Sequence, residues 1–515
     1  MRICTLSVVL FCISGFSPAW GDTLSKQIDL EILKNARQQP VAPVADDAEF
    51  VRRIYLDLIG SIPSVQLTTD FLANKDPNKR TSLIDQLLAS KQFTHHLSEQ
   101  LHILLMERLG ENPLWQEYLS DATTKNKPWD QMVREMLQGS NVEGAPKGAS
   151  FFLSKRLENY GQNPVDYPAL TRDIGRLFCG VDLQCAECHD HLFVKEYKQR
   201  DFQGLYAFVQ HAYLVDATTA QVGEKLPGSK VAFSSVFKKL PLETGPALPG
   251  KPELDLPMFP KGEEYIVAPD RKTKSPGKLK ISYLQQLGET VAGVGNDRLA
   301  SNIANRIWHM LMGKGLVEPL DMFHAENPPS HPELMKLLTS ELIAHRYDLK
   351  WLIREVVRSE SYQRSSKLAE SSTYAYGRGL EKRMSAEQFS RSLGIALGKP
   401  FTKAETDRLL KTFANAPREP EVEIAPSLKG VLFLRNDPLI HERLNPTPET
   451  LVGQIATMKN DEIPDRLMLQ VLTRKASAAE KAKIVAYLSD PATRQQRLPH
   501  LVWAVISSTE FTINH

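Results

Sequence analysis

The chain has 515 residues, of which 63 are Lys or Arg and 61 are Asp or Glu, giving a formal charge of +2, and 42% are apolar. A length beyond what one hydrophobic core serves implies at least two domains, and the apolar fraction excludes wholesale disorder. The near balance of charge, with no long run of one sign, excludes a protein drawn to nucleic acid by a basic face.

The first residues read as a processing signal. Arg2 precedes an apolar run from Ile3 to Phe16, and small residues at Ala19 and Gly21 suit cleavage after Gly21, so 1–21 is expected to be a signal peptide. The run is short for a bilayer span, and Phe11 before Cys12 is too bulky for lipoprotein processing. No later segment reaches transmembrane length. The mature chain is therefore expected to be exported, periplasmic or extracellular, without a transmembrane helix. Cleavage removes Cys4 and Cys12 and leaves Cys179, Cys185 and Cys188, too few and too odd in number for a disulfide scaffold.

Leu24 to Pro40 forms a short amphipathic segment. From Asp47, residues Phe50, Val51, Ile54, Tyr55 and Leu58 recur at one-face spacing and predict a helix stopped by Gly60-Ser61-Ile62-Pro63, with Ser64 capping the next. Apolar stripes through Leu83, Ile84, Leu87 and Leu88, then Leu97, Leu101, Leu104 and Leu105, extend this into a helical bundle. His95 and His102 lie about two turns apart, too far to clamp one ion without a partner between them, so His95, His96 and His102 read as structural. Tyr167 to Val181 predicts a helix ending near Gly180, with Cys179 as a small buried residue. Phe202, Leu205, Tyr206, Phe208 and Val209 predict another, with His211 at its C-terminal end.

Prolines and glycines then accumulate, with β-like pieces at Val231-Ala232-Phe233 and Tyr265-Ile266-Val267 that predict hairpins in a joining segment. Beyond it, Leu299, Ile303, Ile307 and Leu311 define a helix ended by Gly313. Further helices are expected over Leu334–His345, Leu349–Arg358, Ala386–Leu397, Glu449–Met458 and Ala478–Leu488, with a final amphipathic segment from Val502 to Ile513. Ser330 with Glu333, and Ser477 with Glu480, have capping-box spacing, which leaves His331 a structural role. The expected fold is mainly α: two helical domains, 22–213 and 285–515, joined by a Pro/Gly-rich segment, 214–284, with short β hairpins.

Between the first two groups of helices lies Cys185-Ala186-Glu187-Cys188-His189-Asp190-His191. Two thiols three positions apart with an imidazole directly after are the spacing that attaches a c-type haem, each sulfur bonding a vinyl carbon and His189 ligating the iron. His191, two residues along, cannot reach the opposite face of the same iron. His211 and Met258, the latter between two prolines, are the candidates for the second axial ligand. The same cysteines with His189 or His191 also suit zinc or iron held with a ligand from elsewhere. A Cys185–Cys188 redox pair and a plain structural turn complete the alternatives.

These stretches resemble two domains of unknown function, families 1549 and 1553, that occur together in exported proteins of planctomycetes and related bacteria. The first, a planctomycete cytochrome-type domain, is matched by Phe50-Val51-Arg52-Arg53-Ile54-Tyr55-Leu56-Asp57-Leu58, by Leu87-Leu88-Ala89-Ser90 and by Gly180 through His191. Its C-terminal companion is matched by Asn305-Arg306-Ile307-Trp308, Gly313 through Asp321, Pro328 through Leu334, and Phe511-Thr512-Ile513-Asn514-His515. Leu192 and Val194 stand where the family usually has Pro and Asp. The resemblance implies export and this architecture and leaves the activity open.

No G-x-S-x-G elbow, H-E-x-x-H or Walker loop is present, so no motif decides whether the chain is an enzyme. Three functions follow from the residues: electron transfer through a haem; a non-catalytic binding or scaffold role with a structural metal or disulfide at the motif; and metal-dependent hydrolysis of extracellular polymers. The partners expected are other exported redox or polymer-degrading proteins.

Overall fold

Leu24, Ile28, Ile32 and Ala36 recur every fourth residue and bury one side of the first helix, Leu24–Ala36. The computed structural model describes residues 23–36, 39–140, 142, 144–159, 161–226, 229–237, 239–257, 259–260, 262–270, 272, 275, 277–367, 374, 376–419 and 428–515. Residues 1–21, where a signal peptide is expected, and Met258 lie outside the described residues.

The helix Asp47–Leu58 starts where the Asp46 carboxylate accepts the Glu49 N–H at 2.9 Å. Its spacing predicts one buried face, yet every residue from Glu49 to Leu58 is buried. The charged positions are enclosed because each finds partners far along the chain. Arg52 donates to the carbonyls of Val471, Glu510, Phe511 and Ile513, at 2.9–3.3 Å. Arg53 pairs with Glu49 and donates to the carbonyls of Tyr362 and Arg364. Asp57 accepts from the Tyr362 hydroxyl at 2.8 Å, Lys382 Nζ at 2.6 Å and Asn514 Nδ2 at 2.7 Å. The helix is thus a spindle on which the C-terminal segments close.

The architecture is mainly α. Helices Lys79–Leu88, Lys91–Met106, Pro113–Thr124 and Trp129–Leu137 follow in turn, and beyond the joining segment Asp297–Met312, Pro332–Ala344, Leu349–Arg358 and Ala386–Ala396 lead into the C-terminal helices. Among the described residues no helix is long and apolar enough to cross a membrane. The larger core draws on buried residues from Leu24 to Tyr376. The smaller runs from Met384 to Phe511 and takes Leu56 from the helix Asp47–Leu58 and Ile62 from the loop after it. The joining segment forms antiparallel hairpins: Val231–Ser234 with Pro241–Thr244, Tyr265–Val267 with Lys278–Leu279, and Ala212–Asp216 with Gln221–Glu224. The last was not legible as a strand pair, and its Ala212 and Val222 belong to the larger core.

Ser64 caps its helix through the Leu67 N–H, and Ser477 with Glu480 forms the expected capping box. Ser330 departs from expectation. The helix Pro332–Ala344 has His331 at its N-cap with no side-chain cap bond. The Ser330 hydroxyl lies 3.1 Å from His331 Nδ1 instead, while His331 Nε2 lies 2.8 Å from the Tyr374 hydroxyl. His331 is structural, but as part of an aromatic cluster with Tyr374 and Tyr376.

Glu224 ends a hairpin strand and accepts the N–H groups of Tyr283 and Leu284, at 2.9 and 3.1 Å, at the start of the helix Tyr283–Val291. Burial pushes its carboxyl from 4.5 up to about 7, against the opposing hydrogen bonds. The folded state then holds this proton more tightly than the unfolded state, so stability falls as pH rises from about 4.5 to about 7. Glu224→Gln keeps the acceptor oxygen without the charge. It is expected to raise stability at pH 8 by up to about 3 kcal/mol, measured by urea unfolding, and to do little at pH 4. An unchanged midpoint at pH 8 would show that the carboxyl is not desolvated.

Candidate functional site

The helix Tyr167–Cys179 delivers the chain to the motif. Its first turn is capped by Asp166, which accepts the Ala169 N–H at 2.9 Å, and Gly180 ends it in the left-handed region at φ 67°. A Cβ at Gly180 would also meet the Phe323 ring at 2.8 Å. Glycine is required there on both counts. The chain then runs against the second helical region: Val181 bridges Met322, and Phe323 N–H donates to the Gly180 carbonyl at 3.1 Å.

Leu183 and Ala186 are fully buried and pin the next turn, so the 3-10 turn Cys185–Glu187 points its neighbours outward. Cys185 and Cys188 are free and exposed, whereas Cys179 is buried. Burial pushes the Cys179 thiol up to about 12, which makes it an inert core residue. The turn is braced on the helix Gln199–Val209. Gln199 and Gln203 donate to the Glu187 carbonyl at 3.4 and 3.2 Å, the Asp190 carboxylate accepts the Gln199 N–H at 3.0 Å, and Glu187 pairs with Arg172.

The two histidines of the motif hold opposite tautomers. His189 Nδ1 lies 2.7 Å from the Asp190 carbonyl, which can only accept, so Nδ1 carries the proton and Nε2 keeps its lone pair. His191 Nδ1 accepts the N–H groups of Phe193 and Val194 at 3.2 and 2.9 Å, so its proton sits on Nε2. His189 therefore presents a ligating nitrogen in the arrangement usual for metal-bound imidazole, with the other ring nitrogen donating to a carbonyl. His191 is committed to shaping the loop, and its ring packs edge-on against Tyr197. Tyr197 in turn donates to the Phe323 carbonyl at 3.2 Å.

Around the thiols the surface is apolar. Leu192 is 66% exposed, Phe193 79%, Val236 56% and Phe237 66%. The Phe237 ring stands 4.8 Å from that of His189, and Val236 N–H donates to the Cys188 carbonyl at 3.2 Å. Scattered exposed side chains are ordinary, and a group of large ones is less so. The Val236–Phe237 part of this patch was missed in the sequence, since it comes from a hairpin some fifty residues away; Leu192-Phe193 was visible as two consecutive apolar residues in a polar loop.

His211 does not join this group. It follows the C-terminal end of the helix Gln199–Val209, about 9 Å of helix rise beyond Gln203. Its carbonyl accepts the Lys225 N–H at 3.1 Å in the hairpin. His96 is buried against Arg391 and Glu99, and His102 Nδ1 accepts the Trp115 indole N–H at 2.9 Å, both structural roles. Among the described residues no group of three or more His, Cys, Asp or Glu side chains converges to hold a metal ion.

Fold and site together define a mainly α protein in which a surface C-x-x-C-H turn is wedged between an N-terminal and a C-terminal helical region. Residues 27–213 match the family model PSCyt2, a protein of unknown function (DUF1549), and residues 285–421 match PSD1, a protein of unknown function (DUF1553). The chain carries both domains, one after the other. No curated protein and no solved structure matches it.

Proposed function

We propose that the chain is an exported electron-transfer protein with a c-type haem attached through Cys185 and Cys188 and ligated by His189. The observation that carries the reading is the 2.7 Å contact of His189 Nδ1 with the Asp190 carbonyl, which leaves Nε2 available to a ligand. The donor set fits the group in two other respects: both thiols are free and exposed, and the apolar side chains beside them suit a porphyrin face. When bound, such a group supplies one-electron exchange at iron. The chain's own part is to hold the turn through Gln199 and Gln203 and to orient His189 through the Asp190 carbonyl.

The full chain, produced together with haem-attachment machinery, is expected to show a Soret band and a mass increase of one haem that survives denaturation. Cys185→Ala with Cys188→Ala should abolish the covalent gain. A colourless protein at the mass of the bare chain would overturn the proposal.

A further inference from the structure

A cavity of about 790 Å³ opens beside the helices Lys91–Met106 and Asp297–Met312, with no residue of the cysteine turn in its lining. Its volume falls within the ~300–1,000 Å³ typical of small-molecule sites. The stretches that carry the family resemblance meet there: Asp57 comes from the first domain, Arg306, Glu318 and Asp321 from the companion, and Asn514 from the C-terminal end.

Most of the charge in the wall is already matched. Asp57 holds Lys382 at 2.6 Å, Glu318 holds His309 at 3.0 Å, and Glu107 takes both ends of the Arg176 guanidinium at 2.7 Å. Glu107 sits in the left-handed region at φ 45°, a conformation that persists only where the surroundings impose it, so the Arg176 pairing is fixed. Glu381 and Arg383 also line the cavity, and Arg306 and Asp321 are matched less closely than these pairs. Arg306 donates to two neutral acceptors, the Asn302 side chain at 3.1 Å and the Arg176 carbonyl at 3.0 Å. Among the described residues no carboxylate forms an ion pair with it, and burial lowers its pKa to about 10. Asp321 pairs with Arg176 Nε at 3.7 Å, and burial raises its carboxyl pKa against the pull of Arg176 and Arg306. The lining also includes the apolar side chains of Leu101, Leu104 and Met310.

A guanidinium with no carboxylate at ion-pair distance, set in a partly apolar wall, describes one kind of guest. We propose that this cavity binds an organic carboxylate, the anionic group on Arg306 and the apolar body against Leu104 and Met310.

Calorimetric titration of the full chain with octanoate, and with octanamide as its uncharged counterpart, tests this. Octanoate is expected to bind about tenfold or more tighter than octanamide, the worth of a charge-assisted hydrogen bond. Arg306→Gln should erase that difference. Asp321→Asn, which removes negative charge, should hold or strengthen octanoate binding, so the idea stays exposed even if Arg306→Gln does not fold. Equal affinity for the two probes, no octanoate binding, undiminished binding by Arg306→Gln, or its loss in Asp321→Asn would each overturn the assignment.

Discussion

Asp57→Ala is expected to destabilise the protein by about 3–5 kcal/mol, the cost of leaving a buried charge without its partner. Lys382 is the charge in question. Burial already lowers its pKa, and Asp57 is the carboxylate that offsets this. Its other partners are the carbonyls of Met310 and Leu311, at 3.0 and 2.8 Å, which end the helix Asp297–Met312. The same substitution removes the acceptor for the Tyr362 hydroxyl and the Asn514 amide. Urea unfolding followed by circular dichroism measures the loss. Adding Lys382→Met to Asp57→Ala removes the orphaned cation and is expected to recover part of it. A loss below about 1 kcal/mol, or a double variant no more stable than the single, would show that solvent reaches Lys382.

The histidine substitutions are expected to separate cleanly in haem-loaded protein. His189→Ala removes the nitrogen whose lone pair is left open by the bond between Nδ1 and the Asp190 carbonyl, so the Soret maximum should move while the haem stays covalently attached. His191→Ala should leave the absorption spectrum unchanged. It instead orphans the Phe193 and Val194 N–H groups, at a cost of about 1–2 kcal/mol in urea unfolding, because Val194 is buried and Phe193 is not. An identical spectral shift in both variants, or a shift in His191→Ala alone, would exchange the roles assigned to the two rings.

Local structure was written in local residue types. The helix Leu349–Arg358 has the bounds its apolar spacing predicts, Gly180 and Gly313 end their helices in the left-handed region, and Ser477 with Glu480 forms its capping box. These features depend on neighbours within about four residues, which a sequence displays directly. Ser330 shows the limit even at that range, since an aromatic pair more than forty residues away draws in His331 and with it the serine hydroxyl.

The cysteine turn was also legible, because thiols and imidazole at fixed spacing need no fold to be recognised. Which imidazole can ligate was not: the choice depends on which carbonyl or N–H each Nδ1 meets. Reading the helix Asp47–Leu58 as amphipathic was incomplete for a related reason. Arg52, Arg53 and Asp57 look like a solvated face until the segments near Tyr362, Lys382, Val471 and Phe511 arrive to satisfy them. Composition, periodicity and the motif were enough for a mainly α chain with one C-x-x-C-H turn. The enclosure of those charges and the cavity holding Arg306 and Asp321 exist only once distant segments meet, because burial and pairing are properties of contacts between residues hundreds of positions apart.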